Sequence, residues 1–314
     1  MAKRLESLWP SYGADEFDFL IQDDGHEPPK YIKGLMYTGR PDSMAGENAR
    51  PLAVMVPAAN ARVGHGVLGK IAAALPERGF DVLALDFYYG TPDDPEFYKS
   101  DEVTYETYLQ AIERAVDSMR AKRGADFVVG LGHSLGALAL LESKAELMGA
   151  VLLEPAHGLV RQERGNCSYE YAAIIEKTGK RVMLETCWTG GIWSDAMIKA
   201  RLTPVDTSSL ADQDYPVCIV NAEDSALAEY GAKYEAAVGD EARCCRYELP
   251  NANHYFNTPS DAVNLPNQVG GLAADFLAGW HRQYEAGLPT SNYPMYQKSR
   301  FTTLDGRVMR VEGS

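Results

Sequence analysis

Near-continuous apolar runs alternate with amphipathic stretches through the first half of the chain. Pro51-Leu52-Ala53-Val54-Met55-Val56, Asp81-Val82-Leu83-Ala84-Leu85-Asp86 and the run starting at Phe127 are short, rich in β-branched and aliphatic residues, and lack polar alternation. Strands buried on both faces read this way. Between the first two runs, Val67, Ile71, Ala74 and Leu75 fall on one face of a predicted helix. Tyr108, Ile112, Ala115 and Met119 do the same over about residues 105–122. A fourth buried run, Ala150-Val151-Leu152-Leu153-Glu154-Pro155, completes a β-α-β-α-β-α-β succession. That order favours a mostly parallel central sheet with helices on both faces. Upstream, Phe17–Ile21 and Tyr31–Tyr37 read as two antiparallel strands, separated by the turn residues Asp23-Asp24-Gly25 and Pro28-Pro29.

Residues 157–212 break the rhythm. They hold a predicted helix from Glu170 to Lys177, a strand-like Arg181–Glu185, and Trp188-Thr189-Gly190-Gly191-Ile192-Trp193. The segment reads as an inserted lid. The sheet pattern resumes at Tyr215–Val220, which runs into Asn221-Ala222-Glu223-Asp224. A last strand, Arg243 to Leu249, leads into Pro250-Asn251-Ala252-Asn253-His254, and a long helix carries Val269, Leu272, Phe276 and Trp280 on its apolar face. Residues 1–156 and 213–286 therefore form one α/β core, 157–212 the insertion, and 287–314 an extension. Within that extension, Phe301–Met309 has the Asp-Gly signature of a hairpin. Three roles stay open for it: extending the sheet, clamping residues 1–15, or pairing subunits in a homo-oligomer.

Composition narrows the function classes. A formal net charge of −14 argues against a nucleic-acid partner and gives no reason for contact with an anionic membrane. No run of 18 or more apolar residues exists, so no membrane span is expected. The start, Met1-Ala2-Lys3-Arg4-Leu5-Glu6, lacks the apolar core of a secretory signal. Five cysteines are scattered without metal-ligand spacing and read as free thiols of a reducing cytoplasm, with Cys244 and Cys245 on opposite faces of a strand. Neither a metal nor a cofactor is implied.

The chemistry concentrates at Gly132-His133-Ser134-Leu135-Gly136, where the Phe127 strand gives way at once to a helical pattern, Ala137 to Lys144. Glycines two positions either side of Ser134 leave room for a sharp strand-to-helix reversal that exposes its Oγ beyond the sheet. The pattern resembles the nucleophile elbow of the α/β-hydrolase family, and the resemblance extends at the level of fold over roughly residues 15–285. It implies an α/β-hydrolase fold with an inserted lid. A serine at this position sets the chain apart from relatives of the same fold that use an aspartate or a cysteine there.

A serine needs a base, and the base an orienting acid, which this family carries in the order serine, acid, histidine. Of six histidines, His26 and His65 precede the serine, His133 adjoins it with its side chain directed elsewhere, and His281 lies in the last helix. His157 and His254 remain. The family carries its base in the loop after the last strand, which makes His254 the expected base. Asp224 is the first candidate for the acid: it follows a buried strand, and Asn221-Ala222-Glu223-Asp224 looks like the family's Gly-x-x-Asp turn. Asn221 would there replace a glycine where a left-handed conformation is often wanted. Glu154 is the rival, because some relatives carry the acid after the strand that follows the elbow, and a carboxylate ending the run Val151-Leu152-Leu153 calls for a partner.

For the oxyanion, the resemblance implies the backbone N–H of Leu135 at the helix start, and a second donor from the loop after residues 51–56. Pro57-Ala58-Ala59-Asn60 stands where the family usually has His-Gly, with Ala59 the expected donor and Ala58 the alternative. Trp188, Trp193 and Tyr88 are candidates for lining an apolar acyl pocket; the two tryptophans read equally as the lid's own core. The expected function is a cytoplasmic serine hydrolase that cleaves a carboxylic ester, thioester or lactone of a small acyl substrate through an acyl-enzyme on Ser134. The alternatives are a lyase or cofactor-free oxygenase with the same triad, or a non-catalytic small-molecule binder on the same fold.

Overall fold

Among the described residues, eleven strands and five α-helices follow one another, most of them in the order expected of alternating β and α units. They are β1 (Ala14–Gln22), β2 (Lys30–Tyr37), β3 (Leu52–Val56), α1 (Gly66–Ala74), β4 (Asp81–Asp86), α2 (Tyr105–Arg123), β5 (Val128–His133), α3 (Leu135–Glu142), β6 (Ala150–Leu153), β7 (Tyr169–Tyr171), β8 (Val182–Glu185), β9 (Gly191–Ile192), β10 (Val217–Ala222), α4 (Ala228–Val238), β11 (Cys244–Leu249) and α5 (Leu265–Glu285). The structure is a computed structural model that describes residues 14–22, 30–37, 50–58, 66–87, 104–156, 169–171, 182–185, 191–192, 213–223, 225, 227–239, 244–249, 252–256 and 265–288. The expected hairpin at Phe301–Met309 lies outside them.

Eight strands form one sheet in the order β1-β2-β4-β3-β5-β6-β10-β11. The pairs β1/β2 and β2/β4 are antiparallel, and the remaining pairs are parallel. The apolar runs behave as their lack of alternation demands. In β3, Val54 and Val56 pack with α2, α3 and α4, whereas Ala53 and Met55 pack on the opposite face with α1 and α5. The same split places Cys244 and Cys245 on opposite faces of β11. The face of α2 read from its spacing is the buried one: Tyr108, Ile112, Ala115 and Met119 are all fully enclosed. Its ends are set by sequence as well. Thr104 and Thr107 bond each other's backbone N–H in a reciprocal cap, and Gly124 closes the helix in a left-handed conformation.

In the segment expected to form a lid, β7, β8 and β9 make a separate three-stranded antiparallel sheet. The helix expected to start at Glu170 is here a strand instead: Glu170 pairs with Leu184 of β8. Alternating aromatic residues, Tyr169 and Tyr171, favour a pleated surface over a helix. The strand expected at Arg181–Glu185 is present as β8. Residues 172–177 lie outside those described.

Two glycines settle how close α3 can come to the sheet. A Cβ on Gly136 would overlap the carbonyl oxygens of Val56 and Pro57, and one on Gly132 would reach the backbone of Ala137. Both obstacles are main chain, so neither can swing aside. Gly136→Ala should therefore destabilise the fold by more than about 2 kcal/mol, because it overpacks against backbone. Urea denaturation of the variant beside the wild type measures this.

Candidate active site

Strand β5 ends at His133, and Ser134 turns the chain into α3 with φ 54° and ψ −117°. A non-glycine residue with positive φ is strained by about 1–3 kcal/mol, and the surrounding hydrogen bonds must hold it there. They do so from two directions. Ser134 N–H donates to the Leu153 carbonyl at 2.9 Å, and the Ser134 carbonyl accepts from Ala137, Leu138 and Ala156 N–H. The turn bearing the serine is thus bonded directly to the end of β6. Leu135 follows as the first residue of α3, so its N–H lies at the positive end of that helix.

Glu154 comes next after β6, and it too has positive φ, 46°. Its side chain has 0% exposure. Ala222 N–H donates to Oε1 at 2.6 Å and the Asn221 side-chain amide to the same oxygen at 3.1 Å. The Ser225 hydroxyl is a further donor to the carboxylate. Oε2 faces His254 Nδ1 at 3.3 Å. Burial pushes the Glu154 carboxyl above the usual carboxylate range, while the bonds from Ser225, Ala222 and Asn221 pull it back. With Glu154 ionised, the proton of the neutral imidazole is held on Nδ1, which makes Nε2 the accepting nitrogen.

His254 lies in a tight loop after β11. Asn253 accepts twice, through Oδ1 from Tyr255 N–H and through its carbonyl from Phe256 N–H. Phe256 is the third described non-glycine residue with positive φ, 58°, and its ring is fully buried. Ser134, Glu154 and Phe256 are the only such residues among those described. Glu154 faces the His254 imidazole, Phe256 follows His254 by two residues, and Ser134 follows His133, whose ring stacks on that imidazole.

The sequence-expected residues divide accordingly. Glu154 and His254 meet side chain to side chain, and Ser134 joins them through its backbone bonds to the end of β6 and through its neighbour His133, which bonds the His254 carbonyl. Asp224 lies outside the described residues, and Glu154 occupies the position facing Nδ1 of His254. Asn221 does not take the left-handed turn expected of it. It sits inside β10, paired with Glu248, and its amide serves the carboxylate. A buried asparagine after the apolar run Val217–Val220 needs a partner, and that was the available signal. Gly231 makes room for it, since a Cβ there would strike Asn221 Oδ1. Among the oxyanion candidates, Ala58 is buried, with its carbonyl 3.5 Å from the Tyr108 hydroxyl, and the preceding carbonyls of Val56 and Pro57 lie against Gly136. Ala59, Tyr88, Trp188 and Trp193 lie outside the described residues. Among the described residues no cluster suited to a metal ion occurs, and no helix is long and apolar enough to cross a membrane.

Residues 54–265 match the sequence profile of the Alpha/beta hydrolase family. No curated protein sequence matches the chain. Among solved structures, the chain is similar to Est1E from Butyrivibrio proteoclasticus with ferulic acid bound, at TM-score 0.58 and 18% identity, over 85% of this chain and 99% of that one. It is also similar to a putative hydrolase from Agrobacterium vitis, at TM-score 0.57 and 12% identity, covering 84% and 99%. The esterase domain of a Rhodothermus marinus protein aligns at TM-score 0.55 and 12% identity, over 86% and 98%. At these identities the likeness is one of fold.

The burial of Glu154 has a thermodynamic sign. Its folded-state pKa lies above that of the unfolded chain, so the folded state binds the proton more tightly. Stability contributed by this group is therefore present below the unfolded value, about 4.3, and is lost as pH rises through the raised folded value. Glu154→Gln retains an oxygen for Ala222 and Asn221 but carries no charge. Its denaturation midpoint at pH 7 should exceed that of the wild type, and the gap should close near pH 4.

Proposed function

Because the chain belongs to the alpha/beta hydrolase family, we propose that it is a serine hydrolase acting by acyl transfer, with Ser134 as nucleophile, His254 as base and Glu154 as the orienting acid. One observation carries the reading: a fully buried carboxylate faces Nδ1 of His254 at 3.3 Å, in a loop bound to the turn that bears the serine. Sequence preferred Asp224 as the acid; we favour its rival because Glu154 faces the nitrogen that an orienting acid must hold.

The steps follow from these roles. Ser134 Oγ attacks the substrate carbonyl as its proton passes to His254 Nε2. The imidazolium so formed is stabilised through Nδ1–H by Glu154, which stays ionised. The N–H groups of Leu135 and of the loop after β3, from Ala59 or Ala58, hold the negative oxygen of the tetrahedral intermediate. As the intermediate collapses, His254 returns the proton to the departing alcohol or thiol. Water, deprotonated by the same imidazole, then releases the acid from Ser134. The substrate class is a carboxylic ester, thioester or lactone with a moderately apolar acyl group, for which Trp188, Trp193 and Tyr88 are candidate lining residues beneath a cap formed by residues 157–212.

A fluorophosphonate probe should label the native protein and leave Ser134→Ala unlabelled. Hydrolysis of short p-nitrophenyl esters should fall about 10⁴-fold in Glu154→Gln, as when an orienting acid is neutralised. Asp224→Asn should stay within about tenfold of wild type. Absence of labelling together with absence of ester turnover would sink the assignment in favour of a lyase or a binder on this fold. The reverse ranking of the two acid variants would return the acid to Asp224.

A further inference from the structure

His133 is buried and has no step in the chemistry above, yet it touches the base twice. Its Nε2 lies 3.0 Å from the His254 carbonyl, and its ring lies on the His254 imidazole with centroids 4.7 Å apart and planes 29° from parallel. We infer that His133 is a positioning residue, which sets the base against the nucleophile by donating Nε2–H to the His254 carbonyl while stacking on its imidazole. The inference rests on the serine-hydrolase reading and adds a residue to it.

Connectivity gives the arrangement its leverage. His133 is the last residue of β5 and is covalently bonded to Ser134, so its own Cα is about 3.8 Å from that of the nucleophile. It is registered opposite Leu153, the residue before Glu154. A side chain anchored there and bonded to the carbonyl of His254 ties base, nucleophile and acid into one frame. Without it, the loop would lose a direct bond to the residue preceding the nucleophile. A misplacement of about 1 Å is enough to cost about 10²-fold in rate.

The charge state suits the role. To donate from Nε2 and remain neutral, His133 must leave Nδ1 bare. Burial, reinforced by the neighbouring His254, holds its pKa down to about 3, against an opposing pull from its bond to the His254 carbonyl and from Glu154. The other groups around it are the rings of Tyr255 and Phe256, at 6.2 Å each. When His254 takes the serine's proton, its stacked neighbour therefore presents a neutral π-face and not a second positive charge. A histidine that only filled the core would need neither the bond to this carbonyl nor the near-parallel stack.

Three substitutions separate these contributions. His133→Gln keeps a donor near Nε2, His133→Phe keeps a ring without the donor, and His133→Ala removes both. Esterase kinetics and fluorophosphonate labelling rates should show kcat and labelling reduced about 10²-fold in His133→Ala, with KM changed less than about threefold. His133→Gln should recover at least about tenfold of that loss, and His133→Phe should remain near the alanine variant. A His133→Ala protein within about threefold of wild type, or three variants whose losses simply track their melting temperatures, would overturn the inference. Nitrogen-15 NMR of the native protein tests it without any variant. The His133 ring should stay neutral and protonated on Nε2 from pH 5 to 9; titration within that range, or a proton on Nδ1, would overturn it equally. Failure of the native protein to react with the probe would instead count against the hydrolase reading itself.

Discussion

A carboxylate with no exposed surface must be held by donors, and the placement of Glu154 constrains much of what surrounds it. Two strands have to end level with each other for the arrangement to work. The β6/β10 register pairs Leu153 with Val220, and Glu154 N–H continues that pairing to the Val220 carbonyl. The side chain of Glu154 is thereby brought beside Ala222 N–H and the Asn221 amide. Asn221 in turn requires an absence, the missing Cβ of Gly231 in α4. One buried charge thus links two strands, a helix and a loop, and the imidazole of His254 lies where its remaining oxygen points.

Backbone strain follows the same geography. Ser134, Glu154 and Phe256 each take positive φ without being glycine. Each lies just after the carboxyl end of a strand or in the loop beyond it, where a parallel sheet leaves chain ends free to turn. A regular sheet cannot aim three side chains at one point, because pleating sends neighbours to opposite faces. Sharp turns redirect them, and their local cost is offset by hydrogen bonds such as Ser134 N–H to Leu153 and Phe256 N–H to Asn253.

Much of this was legible in the chain itself. Runs such as Leu52–Val56 and Val82–Leu85 are apolar on both faces because both faces are covered, so pattern and burial carry the same information. The elbow was legible for a steric reason: Gly132 and Gly136 mark where backbones approach too closely for a side chain. The contact between Glu154 and His254 was less legible. Glu154 and Asp224 both follow buried strands and nothing local distinguishes them; that Glu154 faces a histidine 100 residues away is a long-range fact. His133, read from sequence as directed away from the serine, does turn elsewhere, and its ring stacks on that of His254. At Glu170, a helical pattern inferred from a short stretch lost to pairing with β8.

The proposed base rides on the margin of the sheet. Strand β11 is the last in the order and pairs with β10 alone among the described strands. His254 follows it by a few residues, whereas β5 and β6, which lead into Ser134 and Glu154, are flanked on both sides. Edge fraying is among the least costly openings available to a sheet. Such an opening would draw the imidazole away while leaving the elbow folded. Under the proposed roles, the reactive state would be conditional on an outlying strand staying closed, and the contacts of His254 with Glu154 and His133 would be its two latches.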